Sequence, residues 1–282
     1  MKMDKRLKYI ELIISDLDGT LLNNAGECGN ENKKLINELK KKNVLFTFAS
    51  GRIHSALRGF ASELNIKIPI ISLEGSLIKN NEDGAILFES LVPEKYVKKA
   101  LRYADKLLLN VALCHADAIY YTDSNSVIPQ IMDKFGANYQ AVDSYENLYR
   151  GTLEVAFAGD NKDNLKFVKD KLSFPYAFGL NVSYFKSITH DGIYYLEVRK
   201  HGTSKGKTLI KLLKKLKISP KNTAVIGDWY NDLSLFETDS YKVTLSNGIM
   251  ELKRKADLIT GKDNNEDGVA EFLEMVLRAK VA

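Results

Sequence analysis

Short apolar runs alternate with helical patterns from the beginning of this chain. The runs cover residues 9–15, 44–49 and 68–72, and helical patterns at 33–42 and 54–64 separate them. Continuous apolar runs of this length are typical of parallel strands that are buried on both faces, with helices crossing over between them. The alternation therefore predicts an α/β fold with a doubly wound, mostly parallel, Rossmann-like sheet.

The pattern changes after about residue 86. Strand-like runs become neighbours joined by tight turns, which predicts an antiparallel sheet with helices on one side. The strand-like runs are 111–115, 118–122, 153–158, 181–189 and 192–198, the last two joined at His190 and Asp191, and the helical patterns are 94–108, 126–135 and 161–171. From residue 203 the first pattern resumes. We therefore expect an α/β core at 1–86 and 197–282, with an α+β domain inserted at 87–196.

Composition and charge argue against several classes of protein. The net charge is +5, but the lysines are spread along the chain in runs such as 40–42 and 214–217, which is typical of solvated helix faces. Cys28 and Cys114 lack the spacing of a disulfide framework or a zinc site, which favours a reducing compartment. The apolar stretch at 10–14 is too short for a signal peptide or a membrane span. We expect a cytoplasmic protein that binds neither nucleic acid nor membranes.

Polar residues follow four of the apolar runs, at the points where the predicted strands end. In an open α/β sheet the carboxyl ends of the strands converge on one crevice, so these residues are candidates for a functional site. They are Asp16 and Asp18 after the first run, Ser50, Gly51 and Arg52 after the second, Glu74 and Gly75 after the third, and Asp228, Asn231 and Asp232 after the run at 223–226.

The acids at these strand ends predict a metal site. Asp16 and Asp18 are two residues apart, so on an extended segment their side chains point the same way. If Asp228 and Asp232 arrive from a neighbouring strand, four carboxylates crowd together, which is unfavourable without a cation between them. Oxygen ligands favour Mg²⁺.

A lysine at the start of a predicted helix indicates an anionic ligand. Lys205 opens the helical pattern at 204–216, where the helix dipole disfavours a cation. We therefore expect a negatively charged group beside Lys205 to neutralise its positive charge. A phosphoryl group would do so while accepting hydrogen bonds from Ser50 and from backbone amides of the glycine-containing loops.

Together these segments resemble the four motifs of the haloacid dehalogenase superfamily of phosphatases. The matching segments are DLDGTLL at 16–22, SGR at 50–52, TSKGKTL at 203–209 and GDWYND at 227–232. The insertion falls between the second and third motifs, as in the Cof-type subfamily with its large α+β cap. DGVAEFL at 267–273 is similar to the closing helix of that subfamily. The resemblance thus covers nearly the whole chain, and it implies that the inserted domain is a cap.

The resemblance implies a two-step phosphoryl transfer through an aspartyl phosphate. Asp16 would attack phosphorus and also bind Mg²⁺. Asp18 would protonate the leaving oxygen and then deprotonate the water that hydrolyses the intermediate. The backbone carbonyl of Asp18 would be a further metal ligand.

The remaining motif residues would hold the metal and the phosphoryl group. Ser50 and Lys205 would bind the phosphoryl oxygens, with Lys205 compensating charge in the transition state. Asp228 would complete the metal site, with Asp232 at the metal or just beyond it. Asn231 would be oriented toward the phosphoryl group.

One position departs from the subfamily. The usual Asn-Gly-Ala after the third strand is replaced by Glu74, Gly75 and Ser76. A carboxylate beside the site could repel an acidic substrate, or could accept hydrogen bonds from a sugar hydroxyl or an amine. Arg52, directly after the second motif, has two open interpretations: contact with the substrate, or pairing with a nearby acid.

Several functions remain compatible with these motifs. The leading expectation is hydrolysis of a small phosphorylated metabolite, with sugar phosphates first and phosphorylated cofactors such as pyridoxal phosphate or flavin mononucleotide next. A phosphomutase or phosphotransferase would use the same aspartyl phosphate. A regulator that binds phosphorylated metabolites without turnover would have no need of a nucleophile. We expect a monomer or a weak homodimer.

Overall fold

The computed structural model describes residues 4–122, 137–187 and 191–281. The chain divides into two compact units. One comprises Met1–Gly51, Arg58–Leu87 and Ser204–Ala282, and the other comprises Arg52–Leu57 and Phe88–Thr203. The helix predicted at 126–135 and the predicted turn residue His190 lie outside the described residues.

Strands and helices alternate up to residue 72, and two further strands follow before residue 90. The elements are β1 (Leu12–Ser15), α1 (Asn30–Lys41), β2 (Leu45–Phe48), α2 (His54–Glu63), β3 (Ile70–Ser72), β4 (Leu77–Lys79) and β5 (Ile86–Glu89). All four residues of β1 are buried, as expected for a strand in the centre of a sheet. Helix α1 buries Leu35, Ile36 and Leu39, which share one helical face. The short apolar runs of the sequence are thus strands, and the intervening patterns are helices.

The middle of the chain forms an α+β unit with a six-stranded sheet. Its elements are α3 (Glu94–Leu107), β6 (Asn110–Cys114), β7 (Ile119–Tyr121), β8 (Tyr139–Ala141), β9 (Glu154–Gly159), α4 (Lys162–Lys171), β10 (Leu180–Lys186) and β11 (Tyr194–Lys200). The strand order is β10-β11-β9-β6-β7-β8. The pairs are antiparallel except for β7 with β8, which is parallel. Alternate residues of the central strands, such as Val155 and Phe157, form one buried core with α3 and α4.

The first pattern resumes after residue 203. The elements are α5 (Lys205–Leu216), β12 (Thr223–Ile226), α6 (Leu233–Phe236), β13 (Tyr241–Thr244), α7 (Met250–Lys253), β14 (Leu258–Ile259) and α8 (Gly268–Val281). Helix α8 packs against α1, and α5 packs against α6. Among the helices in the described ranges, none has the length and apolarity required to cross a membrane.

The central sheet is parallel throughout and reverses its strand order at β1. Its order is β14-β13-β12-β1-β2, and every neighbouring pair is parallel. The chain therefore builds outward from β1 in one direction through β2, and later in the other direction through β12. Such a reversal opens a crevice at the carboxyl ends of the two central strands. The doubly wound, parallel sheet predicted from the sequence is confirmed.

The third apolar run differs from the expectation of a regular parallel strand. β3 belongs to a separate three-stranded sheet of order β3-β4-β5, and it pairs antiparallel with β4. One parallel bridge, from Ala49 to Ile71, links it to the chain after β2. The cause is the tight turn that follows β3, which returns the chain along the strand it has just left. The sequence pattern did not indicate β4 or β5.

Candidate active site

Asp16 is the first residue after β1 and lies where the central sheet reverses its strand order. Its backbone N–H donates to the Ile226 carbonyl at 2.9 Å, which extends the pairing of β1 with β12 by one residue. The Ser15 hydroxyl donates to the Asp16 carbonyl at 2.6 Å. Asp16 is only 5% exposed. Its carboxylate is therefore held in place with little access to water.

Lys205 is the first residue of α5 and is completely buried. Its Nζ donates to Asp16 Oδ1 and to Asp232 Oδ1, both at 2.8 Å. Burial alone would lower the pKa of Lys205, but the two carboxylates raise it above its ordinary value. The negative partner expected for this lysine is thus provided by the protein itself. Lys205 stays protonated and joins two strand ends of the sheet.

Asp232 closes the loop that follows β12. Its Oδ2 accepts the backbone N–H groups of Asp228 at 3.0 Å and Trp229 at 3.2 Å, while Oδ1 accepts from Lys205. A Cβ on Gly227 would lie 2.5 Å from the Cβ of Asp232, so this turn requires glycine. Both carboxylate oxygens of Asp232 are therefore engaged, and they hold Asp228 and Lys205 in position.

Asp228 is buried between the loops that follow β1 and β12. Its Oδ1 accepts a hydrogen bond from the Thr20 hydroxyl. Gly19 has a φ of +78°, and a Cβ there would lie 2.6 Å from Asp228 Oδ2, so only glycine allows the carboxylate to approach this closely. Burial is the main cause that raises the pKa of Asp228 to about 6, and the charge of Asp232 adds to it.

Three carboxylates converge at this edge of the sheet. One oxygen from each of Asp16, Asp228 and Asp232 lies within 4.8 Å of the others. Burial raises the pKa of Asp16 well above its ordinary value; Lys205 opposes this effect and the charge of Asp232 reinforces it. Among the described residues, Lys205 is the one cation that forms salt bridges with these acids, so the ionised cluster keeps two unbalanced negative charges. A divalent cation with oxygen ligands matches both that charge and that set of donors.

Asp18 departs from the expected group of four acids. Its side chain is exposed, and the acids that cluster among the described residues are Asp16, Asp228 and Asp232. The segment after Asp16 is not extended, because the Leu17 carbonyl accepts the N–H groups of Thr20 at 3.2 Å and Leu22 at 2.9 Å. This turn removes the two-residue alternation on which the expectation relied.

Of the site residues predicted at the second strand end, Ser50 and Gly51 contact the segment that follows β2 in the sheet edge, at Ile71 and Glu74. Ser50 is buried; its N–H donates to the Ile71 carbonyl at 3.0 Å, and its own carbonyl accepts from Glu74 N–H at 3.1 Å. Gly51 lies directly beneath the Glu74 carboxylate, since a Cβ there would be 2.5 Å from Glu74 Oε1. Arg52 is partly exposed and is the first residue of the segment grouped with the α+β unit.

The third strand end places Glu74 in contact with the fourth motif. Glu74 Oε1 accepts from Asn231 Nδ2 at 2.9 Å, so the Asn231 side chain bonds to Glu74. Gly75 has a φ of +93°, and a Cβ there would lie 2.5 Å from the Ser204 carbonyl oxygen. The Gly75 carbonyl accepts from Thr208 Oγ1 at 2.7 Å. The turn after β3 is thereby attached to the first turn of α5.

Two residues that support the site were not predicted from the sequence. Thr20 donates to Asp228, and Asn247 donates through Nδ2 to the Gly19 carbonyl at 2.8 Å. Asn247 follows β13, whose carboxyl end lies at the same edge of the sheet. Applying the strand-end rule to β13 as well would have identified it.

The chain is similar in sequence to known hydrolases and phosphatases over almost its full length. A family model described as haloacid dehalogenase-like hydrolase matches residues 13–273. The chain is 28% identical to 5-amino-6-(5-phospho-D-ribitylamino)uracil phosphatase YwtE of Bacillus subtilis, over 97% of this chain and 100% of that protein. It is 25% identical to phosphatase YwpJ of Bacillus subtilis, over 95% of this chain and 100% of that protein.

Solved structures are also similar over almost the full length. A haloacid dehalogenase-like hydrolase from Bacteroides thetaiotaomicron has a TM-score of 0.83 and 27% identity, covering 95% of this chain and 99% of that one. A Thermotoga maritima protein has a TM-score of 0.82 and 26% identity, covering 94% of this chain and 97% of that one. The likeness therefore extends to both compact units.

Proposed function

Because the chain belongs to the haloacid dehalogenase-like hydrolase family and is a phosphatase, we propose that it hydrolyses small phosphate monoesters with Mg²⁺ through an aspartyl phosphate on Asp16. One observation carries this proposal: the buried Asp16 carboxylate lies at the reversal point of the sheet, between Lys205 and two further acids. A nucleophile at this position has a fixed orientation, a cation on one of its oxygens and an excess of negative charge around it.

In the first step, Asp16 Oδ2 forms a bond to phosphorus and the bond from phosphorus to the ester oxygen breaks. Lys205 donates to Oδ1, which leaves Oδ2 as the attacking oxygen. Asp18, whose side chain is exposed, gives its proton to the departing ester oxygen. An exposed carboxylate can exchange protons with solvent, which suits this role.

In the second step, water attacks the phosphorus of the aspartyl phosphate. Asp18 accepts the water proton, the bond from phosphorus to Asp16 breaks, and inorganic phosphate leaves. Ser50 and Lys205 bind the phosphoryl oxygens in both steps, as the charge on these oxygens builds up. Asp16 is then again a free carboxylate and Asp18 is again protonated, as before the first step.

The carboxylates of Asp16 and Asp228 and the backbone carbonyl of Asp18 would hold the metal. When bound, Mg²⁺ would supply positive charge to the phosphoryl oxygens and to the attacking carboxylate. Asp232 has both oxygens committed to Lys205 and to two backbone amides. We therefore assign Asp232 to positioning Lys205 and Asp228.

Sugar phosphates and related phosphorylated polyols are the proposed substrate class, with phosphorylated cofactors next. Support comes from the Bacillus subtilis relative, which is a phosphatase of a phosphoribitylamino-uracil. Phosphate release from such esters and from a generic aryl phosphate, with Mg²⁺ and with a chelator, tests the proposal. We expect phosphate release with Mg²⁺, and we expect the rate of release to fall by about a hundredfold or more with the chelator. No release from any ester with Mg²⁺ present would refute it, and an isomeric sugar phosphate as product would indicate a mutase.

A further inference from the structure

Glu74 stands on an unusual turn that fixes its backbone. Leu73, Glu74 and Gly75 have φ values of 47°, 55° and 93°, which is a left-handed conformation that residues other than glycine rarely adopt. The Glu74 N–H donates to the Ser50 carbonyl at 3.1 Å. The turn is therefore held between the end of β2 and the start of α5, and residues keep such a conformation only when their surroundings require it.

The Glu74 side chain is fixed as well. Oε1 accepts from Asn231 Nδ2 at 2.9 Å. The same oxygen lies where the Cβ of any residue other than glycine at position 51 would be placed. Because a carboxylate accepts hydrogen bonds and cannot donate them, Asn231 must present its NH₂ group to it. Oε2 makes no hydrogen bond to any residue in the described ranges, and the side chain is partly exposed. One oxygen is thus anchored and the other is available.

The negative charge of Glu74 is not compensated by an ion pair. Lys205 directs its ammonium group at Asp16 and Asp232, each at 2.8 Å, and attracts Glu74 only at longer range, while Asp232 repels it. No lysine, arginine or histidine in the described part of the chain forms a salt bridge with Glu74. The groups nearest to it, Ser50, Gly51 and Asn231, are those predicted to surround the phosphoryl group.

We propose that Glu74 is a specificity-determining residue that rejects phosphate esters carrying a carboxylate close to the phosphoryl group and accepts neutral hydroxylated ones. This selectivity rests on the proposed phosphatase function of the same site. A substrate carboxylate would meet the negative charge of Glu74, which no salt bridge neutralises, whereas a substrate hydroxyl can donate to Oε2. At a separation of about 4 Å in a partly solvated site, repulsion between Glu74 and a substrate carboxylate would lower the affinity for that substrate about tenfold.

Binding of two ligands that differ at one carbon tests this proposal. Glycerol 3-phosphate carries a hydroxymethyl group where 3-phosphoglycerate carries a carboxylate. Apparent Kd values for both ligands are measured from their competition with aryl phosphate turnover, at initial rates, on the Mg²⁺-loaded protein, on Glu74→Gln and on Glu38→Gln. Glutamine keeps the size of Glu74 and an acceptor for Asn231 but loses the charge. Glu38 lies on α1 and forms no ion pair among the described residues, so its substitution controls for net charge.

We expect the wild-type protein to prefer glycerol 3-phosphate. The ratio of the two Kd values should fall about tenfold in Glu74→Gln and stay unchanged in Glu38→Gln. The wild-type preference should also weaken with added salt, which a purely structural role of Glu74 would not produce. An unchanged ratio in Glu74→Gln, an equal loss of affinity for both ligands, or no binding of either would overturn the proposal. Aryl phosphate turnover in the same samples tests the phosphatase function separately.

Discussion

Each of the two compact units buries a cluster of charged side chains, but the clusters occupy different places in the fold. In the α/β unit, Asp16, Asp228, Asp232 and Lys205 follow strands or begin a helix. In the α+β unit, Arg199 and Glu154 lie within β11 and β9 and face each other in register. The strand register fixes one cluster, whereas loops and a helix start bring the other together.

The cluster in the α+β unit is bridged by an arginine. Arg199 Nη1 lies 3.1 Å from Glu154 Oε2, and Nη2 donates to Glu197 Oε2 at 2.9 Å. The planar guanidinium serves two carboxylates at once, which is the geometry arginine favours in buried pairs. By contrast, Lys205 contacts Asp16 and Asp232, and Asp228 forms no salt bridge with any of the described residues.

This difference indicates that the cluster in the α+β unit contributes to stability and that the cluster in the α/β unit serves function. An ion pair fixed by strand register contributes to holding a sheet together, and its loss leaves a buried charge. A cluster with excess carboxylates opposes folding until a cation or a substrate complements it, which is typical of a site with a chemical role. Removing the cation should therefore destabilise both units but abolish activity in the first cluster alone, and removing an acid from the first cluster should stabilise the fold.

The largest effect is expected for Lys205→Met. This change leaves Asp16 and Asp232 buried without the ammonium that both accept from, so the free energy of unfolding should fall by about 3–5 kcal/mol. Phosphatase activity should be lost at the same time. Urea denaturation and phosphate release measure the two effects. The control is Lys207→Met on the same helix, whose side chain is exposed; equal stability of the two variants would contradict the role of Lys205.

A smaller loss, without loss of chemistry, is expected for Arg199→Met. Glu154 and Glu197 lose their shared partner, so the free energy of unfolding should fall by about 3 kcal/mol. Hydrolysis of an aryl phosphate should stay within about threefold of wild type at temperatures where the variant is folded. Lys200→Met, at the exposed neighbouring position, should change neither quantity. Activity lost along with stability would show that the two clusters do not divide these roles.

The smallest effect, and one of opposite sign, is expected for Asp228→Asn without metal. The pKa of Asp228 is about 6 in the folded chain against an ordinary 3.8, so the folded state binds the proton more tightly than the unfolded state. The contribution of Asp228 to stability therefore decreases as the pH rises from about 4 to 6. At pH values above 6 the variant should be more stable by roughly 2 kcal/mol, and below pH 4, approximately, the difference should vanish.

Denaturation at several pH values in a chelator measures this difference. Asp239→Asn, at an exposed position, is the matched control and should not change the pH dependence. Mg²⁺ should stabilise the wild type at neutral pH and leave Asp228→Asn nearly unaffected. A variant that is less stable than wild type at neutral pH would show that the Asp228 charge is favourable in the folded protein.

The sequence predicted the strand ends better than the contacts between them. The apolar run before Asp16 and the run before Asp228 identified the two central strands, because a buried parallel strand has a continuous apolar pattern. The pairing of Lys205 with Asp16 spans 189 residues. Neither spacing nor periodicity encodes which oxygen of which acid the lysine will reach.

The turn after β3 was beyond prediction for a different reason. Leu73 and Glu74 adopt positive φ, and neither residue type signals such a turn in a sequence. Contacts with Ser50 and Asn231 impose the conformation, and these contacts exist only once the strands are assembled. The separate sheet of β3, β4 and β5 follows from that turn.

Trapping of the phosphorylated intermediate tests the central claim about Asp16 most directly. A radiolabelled phosphate ester is mixed with Mg²⁺-loaded protein, quenched in acid and digested, and the labelled peptide is sequenced. We expect a hydroxylamine-sensitive label on Asp16, and neither label nor turnover in Asp16→Asn. With an aryl phosphate, whose leaving group departs without a proton from Asp18, the label should accumulate in Asp18→Asn because only water attack is slowed. Turnover that persists in Asp16→Asn, or a label on another residue, would contradict the account.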